Sequence, residues 1–163
     1  MTKASLDHQA LFDAYSQRCA QDGLLPYADK DFVSLAYLAR VIAHAKGEGL
    51  PAGWVPTTTY FYIEAGAILG AIRLRHGTDE YIKYEIGHIG YETSSHARGR
   101  GVATKMLDWV LNNVVEGAPI VICDEDNLAS RKVIEKCAGR YLETVYSKAH
   151  SQYITRYQFE RQR

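Results

Sequence analysis

The sequence predicts an α/β fold in which a mixed β-sheet is flanked by helices. Three observations predict it. Apolar stripes of helical period and runs of aromatic and β-branched residues occupy separate stretches of the chain. A strand, helix, strand succession lies in the middle and fits a right-handed parallel crossover. The length, 163 residues with 47% apolar, suits one domain over residues 1–163 with a sizeable core.

The elements follow in order. Leu6, Ala10, Leu11, Ala14 and Tyr15 recur at helical spacing, so Leu6 to Cys19 is expected to be a helix. Asp29 reads as the N-cap of a second helix with Phe32, Leu35, Ala36, Ala39, Ile42 and Ala43 on one face. Gly47 to Pro56 carries three glycines and two prolines and reads as a loop. Thr59 to Glu64 and Ala67 to Arg75 form a predicted hairpin around Ala65-Gly66. Tyr84 to Thr93 is a predicted third strand. A periodic helix follows, with Val102, Met106, Val110 and Val114 in one stripe beside Ala103, Leu107 and Leu111. Ile120 to Cys123 reads as a short apolar strand. Asp126 or Asn127 caps a helix that ends near Gly139. Tyr141 to Tyr146 and Gln152 to Phe159 are expected to close the sheet.

Charge and cysteine usage exclude several function classes. Lys plus Arg and Asp plus Glu each number 19, so the chain lacks the broad positive field of nucleic-acid or membrane-surface binders. Cys19, Cys123 and Cys137 make an odd set with no C-x-x-C pair, which suggests neither a disulfide framework nor a zinc site. The histidines show no metal spacing. The first ten residues have no apolar core of a signal peptide, and no run is long enough to span a bilayer. A soluble, cytoplasmic protein is expected, without nucleic-acid or membrane partners.

The segment HIGYETSSHARGRGVATKML carries the most chemical information. A strand runs into a small, polar, glycine-rich loop that opens a helix. The first N–H groups of a helix lack internal partners, and the helix dipole adds partial positive charge there. A diphosphate suits such a site. Gly99 and Gly101 let the backbone approach an anion, Ala103 keeps the first turn small, and Arg98 and Arg100 supply complementary charge. An ordinary glycine-rich strand-helix turn is the competing reading. Neither the P-loop nor the dinucleotide pattern is present.

The same segment resembles the Q/R-x-x-G-x-G/A signature of the GNAT acetyltransferases, through Arg98, Gly101 and Ala103. Asn127, Ala129, Ser130 and the helix to Cys137 resemble the segment after the fifth strand of that family. Leu74-Arg75-His76, Gly87 to Tyr91 and Cys123 to Lys136 resemble a subgroup of predicted bacterial acetyltransferases. The resemblance covers roughly the second two-thirds of the chain. It implies a GNAT-like sheet with two splayed central parallel strands, here Tyr84–Thr93 and Ile120–Cys123, between which pantetheine pairs with exposed backbone. It further implies acetyl-CoA as acyl donor, with its pyrophosphate on the amides from Arg98 to Thr104: Arg98, Gly99, Arg100, Gly101, Val102, Ala103 and Thr104. Tyr91, Thr93, Asn127 and Ser130 join the implied cofactor-binding set. Three departures stand out. Ile134 occupies a position where many members carry a tyrosine acid. The helix end reads Cys137-Ala138-Gly139 in place of Asn-Gly-Gly. The chain starts almost directly in a helix, which leaves open whether the first edge strand is present; its absence would invite homodimer pairing at the sheet edge.

The implied reaction is direct attack of a primary amine, from a small molecule or peptide, on the acetyl thioester. It needs a base, an oxyanion donor and a proton for the thiolate. Glu85 and His88 are the candidate bases on the third strand. Three residues apart, they would face opposite sides, and His88 has the better intrinsic pKa. Tyr91 is one of several candidate acids among 12 tyrosines. Arg73 and Arg75 alternate with Ile72 and Leu74, as on a wetted strand face; meeting an acidic substrate is the alternative. A non-catalytic acyl-CoA sensor and a structural α/β domain are the competing functions.

Overall fold

The computed structural model describes residues 1–160; the last positions of the expected 1–163 domain lie outside the described residues. Seven strands form one sheet in the order β1-β2-β3-β4-β5-β7-β6. They are β1 (Thr2–Lys3), β2 (Thr57–Glu64), β3 (Ala67–Arg75), β4 (Ile89–Thr93), β5 (Ile120–Asp124), β6 (Arg140–Ser147) and β7 (Gln152–Gln158). Among the described residues four α-helices flank it: α1 (Gln9–Gln21), α2 (Ser34–His44), α3 (Val102–Asn113) and α4 (Leu128–Lys136).

The sheet separates two apolar cores. On one face Phe12, Tyr15 and Cys19 of α1 and Leu38 of α2 pack on Phe61, Ile68 and Ala71. On the other, α3 sets Val102, Met106, Leu107, Val110 and Leu111 against Ile72, Leu74, Ile89 and Val121. This is the stripe its sequence predicts. Each of those side chains contributes about 1.5–3 kcal/mol by leaving water. Gly70 permits the close approach of α3 to β3, because a Cβ there would stand 2.8 Å from both Met106 Cε and the Glu92 carbonyl oxygen.

β4 and β5 are parallel and share a single ladder pair, Ile89 with Val121. Beside it, His88 N–H donates to Ile120 O at 2.7 Å. Beyond that point the two strands diverge, leaving a wedge toward Thr93 and Asp124. On its other side β4 pairs with β3 over five residues, Gly90 facing Arg73 and Glu92 facing Ala71. Arg75 N–H donates to His88 O and Ser94 N–H to Leu69 O, so the even positions of β4 bond toward β3. The main-chain groups of Tyr91 and Thr93 therefore face the wedge.

Several expectations are corrected. The predicted strand from Tyr84 begins only at Ile89. Residues Ile82–Ile86 coil instead into a π-helical turn, closed by Gly87 N–H on Ile82 O at 2.8 Å, and Gly87 reverses the chain at φ 71. The second helix starts at Ser34, whose hydroxyl donates to the Asp13 carboxylate of α1. Asp29 only closes a local turn on Asp31 N–H at 2.9 Å. The first helix is preceded by a 3-10 turn at Leu6–His8. The first edge strand, which the sequence left open, is present as β1, with Thr2 opposite Phe61 and Lys3 opposite Tyr60. Of the two expected caps of α4, Asn127 takes the role, accepting Ser130 N–H at 3.0 Å. Among the described residues no helix is long and apolar enough to cross a membrane.

Candidate active site

The glycine-rich loop is anchored before it turns. Ser94 is fully buried and bonds Leu69 O through its N–H at 3.0 Å and its hydroxyl at 3.2 Å. Asp22 accepts from Ser95 Oγ at 2.7 Å and Ser95 N at 3.1 Å, and these bonds hold its carboxyl below the usual range. Past the 3-10 turn at Ser95–Ala97 the chain reverses at Gly99 (φ 73) and Gly101 (φ 74), where a Cβ would meet nothing within 4 Å. The positive φ, not crowding, is what calls for glycine. The first helical bond of α3 is Lys105 N–H to Gly101 O at 3.0 Å. Among the described residues, no backbone acceptor takes the N–H groups from Gly99 to Thr104. They form an uncapped donor nest at the positive end of α3.

This nest opens into a cavity of about 690 Å³ bounded by the end of β4, the start of α3 and one side of α4. Tyr91, Thr93, Arg98, Gly99, Gly101, Val102, Ala103, Thr104, Asn127 and Ser130 all line it. Arg100 turns away and pairs with Glu64 at 3.2 Å, both side chains being about half exposed. Tyr91 OH lies 2.8 Å from Ser130 Oγ, and burial pushes its phenol above the ordinary range. The wall is thus a neutral hydroxyl pair. Ile134 is fully buried in the core under Gly139 and offers no proton.

A second cavity, about 720 Å³, lies on the opposite face of the sheet, under α2 and the loop from Gly49 to Val55. Arg40, Tyr37, Trp54, Arg73, Arg75, Tyr81 and Asp79 are among its walls. Arg73 and Arg75 line this cavity together with Tyr37, Arg40 and Val41 of α2, so the expected wetted strand face is a cavity wall. Glu92 lines both cavities. Arg73 grips it with two parallel bonds, Nη1 to Oε2 and Nη2 to Oε1, each 3.0 Å. The Tyr27 and Tyr15 hydroxyls also donate to Oε1. Among the described residues Oε2 receives Arg73 alone and keeps a lone pair for another donor.

Sequence reasoning missed Glu92. It lies 19 positions from Arg73, and only the register that sets Ala71 opposite Glu92 brings them together. The charge alternation of Arg73 and Arg75 was the available signal, since a buried cation needs an anion on the neighbouring strand.

The two candidate bases lie elsewhere. Glu85 sits on the π turn, where Ser147 Oγ donates to its Oε2. His88 precedes β4, and its Nδ1 accepts Ile120 N–H at 3.0 Å, which puts the ring proton on Nε2. Burial lowers its pKa below the ordinary histidine value. Neither residue lines either cavity.

The comparisons agree with this geometry. The sequence profile described as "Acetyltransferase (GNAT) domain" matches residues 4–140. Among solved structures, the microcin C7 self-immunity acetyltransferase MccE, in complex with acetyl-CoA and AMP, superposes with a TM-score of 0.71 at 13% identity over 96% of this chain and 89% of its own. The ribosomal L7/L12 α-N-protein acetyltransferase RimL with coenzyme A gives 0.68 at 11% identity over 98% and 92%. RimJ of Mycobacterium smegmatis, with a CoA disulfide, gives 0.68 at 16% over 93% and 78%. These likenesses bear on the fold. Among curated proteins none matches. The chain belongs to the GNAT acetyltransferase family. Its activity class follows: an N-acetyltransferase.

Proposed function

We propose that this chain, acting as one cytoplasmic domain, transfers acetyl directly to a primary amine of a small molecule or peptide, with the two cavities holding donor and acceptor on opposite sides of Glu92. The observation that carries the proposal is the donor nest from Gly99 to Thr104 at the mouth of a wedge between two parallel strands joined by one pair. A diphosphate satisfies those N–H groups, and Arg98 adds charge at its rim. Pantetheine extends along Tyr91 and Thr93 as an added strand, reaching Asn127 and Ser130.

The chain's own groups then divide the proton work. Oε2 of Glu92 receives a proton from the incoming ammonium, directly or through one water. A main-chain N–H of β4 facing the wedge stabilises the oxyanion as it develops. The Tyr91–Ser130 hydroxyl pair supplies a proton to the departing thiolate, a role for which its neutral state suits it. This reading moves the base from His88 and Glu85 to Glu92. β1 covers only two residues of β2, so strand pairing between two copies at that edge completes the proposal, and sedimentation reads monomer or dimer.

A thermal titration tests donor binding. Acetyl-CoA at 100 times its dissociation constant stabilises by about 2.7 kcal/mol. For a chain of this length that raises Tm by roughly 5–10 °C. An unchanged Tm at saturating acetyl-CoA refutes the binding role of the nest.

A further inference from the structure

The acceptor-side cavity is lined by three arginines, Arg40, Arg73 and Arg75, and two carboxylates, Asp79 and Glu92. Glu92 is engaged by Arg73. Asp79 Oδ1 is engaged by Ile82 N–H at 2.8 Å. Arg75 is left without a counter-ion: among the described residues no carboxylate lies within 4.0 Å of it. Its guanidinium rests on the backbone of β4, where a Cβ at Gly90 would meet Nη2 at 3.4 Å and Nη1 at 3.5 Å. Nη1 donates to Gly87 O at 3.0 Å and Ile86 O at 3.4 Å, while Nη2 donates to no protein atom among the described residues. Burial and the neighbouring Arg73 lower its pKa to about 10, so it is still a cation at neutral pH. A guanidinium that lines a cavity, with Nη2 unbonded and no counter-ion among the described residues, gains most from an anion. Arg40, stacked 5.3 Å over the Tyr37 ring, adds a second positive charge to the same space.

We propose that the acetyl acceptor is an amine carrying an anionic group, a carboxylate or a phosphate, which Arg75 grips while the amine sits at Glu92. The inference rests on the acetyltransferase reading above. Arg73 and Arg75 are two positions apart on one face of β3, so the anion lies roughly 6–7 Å from the Arg73–Glu92 pair. Tyr37, Trp54 and Tyr81 line the remaining space and suit an apolar body between or beside the two charges. An unsubstituted alkylamine or a polyamine leaves Arg75 desolvated and unmatched.

The test compares matched amines in a thiol-release assay with acetyl-CoA. β-Alanine, γ-aminobutyrate and ε-aminohexanoate are set against their amides, and aminoethyl phosphate against ethanolamine. The anionic member of at least one pair is expected to show about 10- to 100-fold higher kcat/KM, as for a charge-assisted hydrogen bond to a desolvated partner. Which series shows it separates carboxylate from phosphate. Arg75→Gln narrows the ratio toward one, and Arg75→Lys retains part of it. All three proteins are expected to keep the Tm rise with acetyl-CoA, which shows that they are folded. Equal rates for each acid and its neutral partner in the unaltered protein overturn the inference and leave the acetyltransferase reading standing. So does a preference that survives Arg75→Gln. Absence of both the Tm rise and any amine-dependent release refutes the functional reading itself, and the inference with it.

Discussion

Glu92→Gln keeps the shape of the side chain and removes its charge. In the native protein the two carboxylate oxygens accept four hydrogen bonds, two from Arg73 at 3.0 Å and one each from Tyr15 and Tyr27. The amide presents an NH2 to one of these donors and leaves Arg73 without a counter-ion at a side-chain exposure of 19%. Breaking one partner of a buried pair costs about 3–5 kcal/mol, and we take the low end, roughly 3 kcal/mol, because the tyrosine hydroxyls can rotate to accept. At 2–4 °C per kcal/mol for this length, Tm falls by about 9 °C. Loss of the proton acceptor lowers kcat by about a hundredfold or more. Scanning calorimetry reads the first and steady-state thiol release the second. The paired change Arg73→Met with Glu92→Leu separates them: it recovers much of the stability and none of the activity. If Glu92→Gln melts within 2 °C of the parent (on the order of 0.5 kcal/mol by the same scaling) and turns over normally, the pair is neither the structural nor the chemical centre described here.

Gly101→Glu places bulk and negative charge at the nest and is expected to remove the Tm rise with acetyl-CoA. Gly101→Ala meets no neighbour within 4 Å, and its cost is the strain of φ 74 alone, about 1–2 kcal/mol in calorimetry. Ser130→Ala deletes the hydroxyl on Tyr91 but spares the backbone N–H on Asn127, so α4 stays capped while kcat drops about tenfold or more. Burial lowers the pKa values of His88 and His76, so as pH falls the unfolded chain takes up these protons first. Their stabilisation is complete above the ordinary histidine value near pH ~6.5 and declines as pH drops toward the native pKa values. Tm is expected to fall between pH ~7 and ~5, with a shallower slope in His88→Gln; a slope unchanged by that substitution refutes the assignment for His88.

The donor side of the site was legible in the sequence because its determinants are local. Gly99, Gly101 and the stripe from Val102 to Leu111 lie within one turn-and-helix, and backbone geometry follows from residue type over that range. The acceptor side was not, because it depends on register. Arg73, Arg75 and Glu92 converge only when β3 and β4 pair with Ala71 opposite Glu92, and α2 must then close over them. The run from Tyr84 to Thr93 shows a second limit. Its composition favours a strand throughout, yet Gly87 at φ 71 breaks it, and the π turn places Glu85 on Ser147 and Arg156 over the Tyr84 ring at 4.3 Å. Tertiary partners decided what propensity left balanced. The two-residue β1 is below what periodicity can detect and exists because β2 offers an edge to pair with.

Backbone amide NMR of the isotopically labelled protein during a coenzyme titration addresses the donor nest at the level of single N–H groups. The account predicts that the resonances of Gly99 to Thr104 move together on adding acetyl-CoA and stay in place with pantetheine, which lacks the diphosphate. Saturable acetyl-CoA binding that leaves those six resonances unmoved would contradict it.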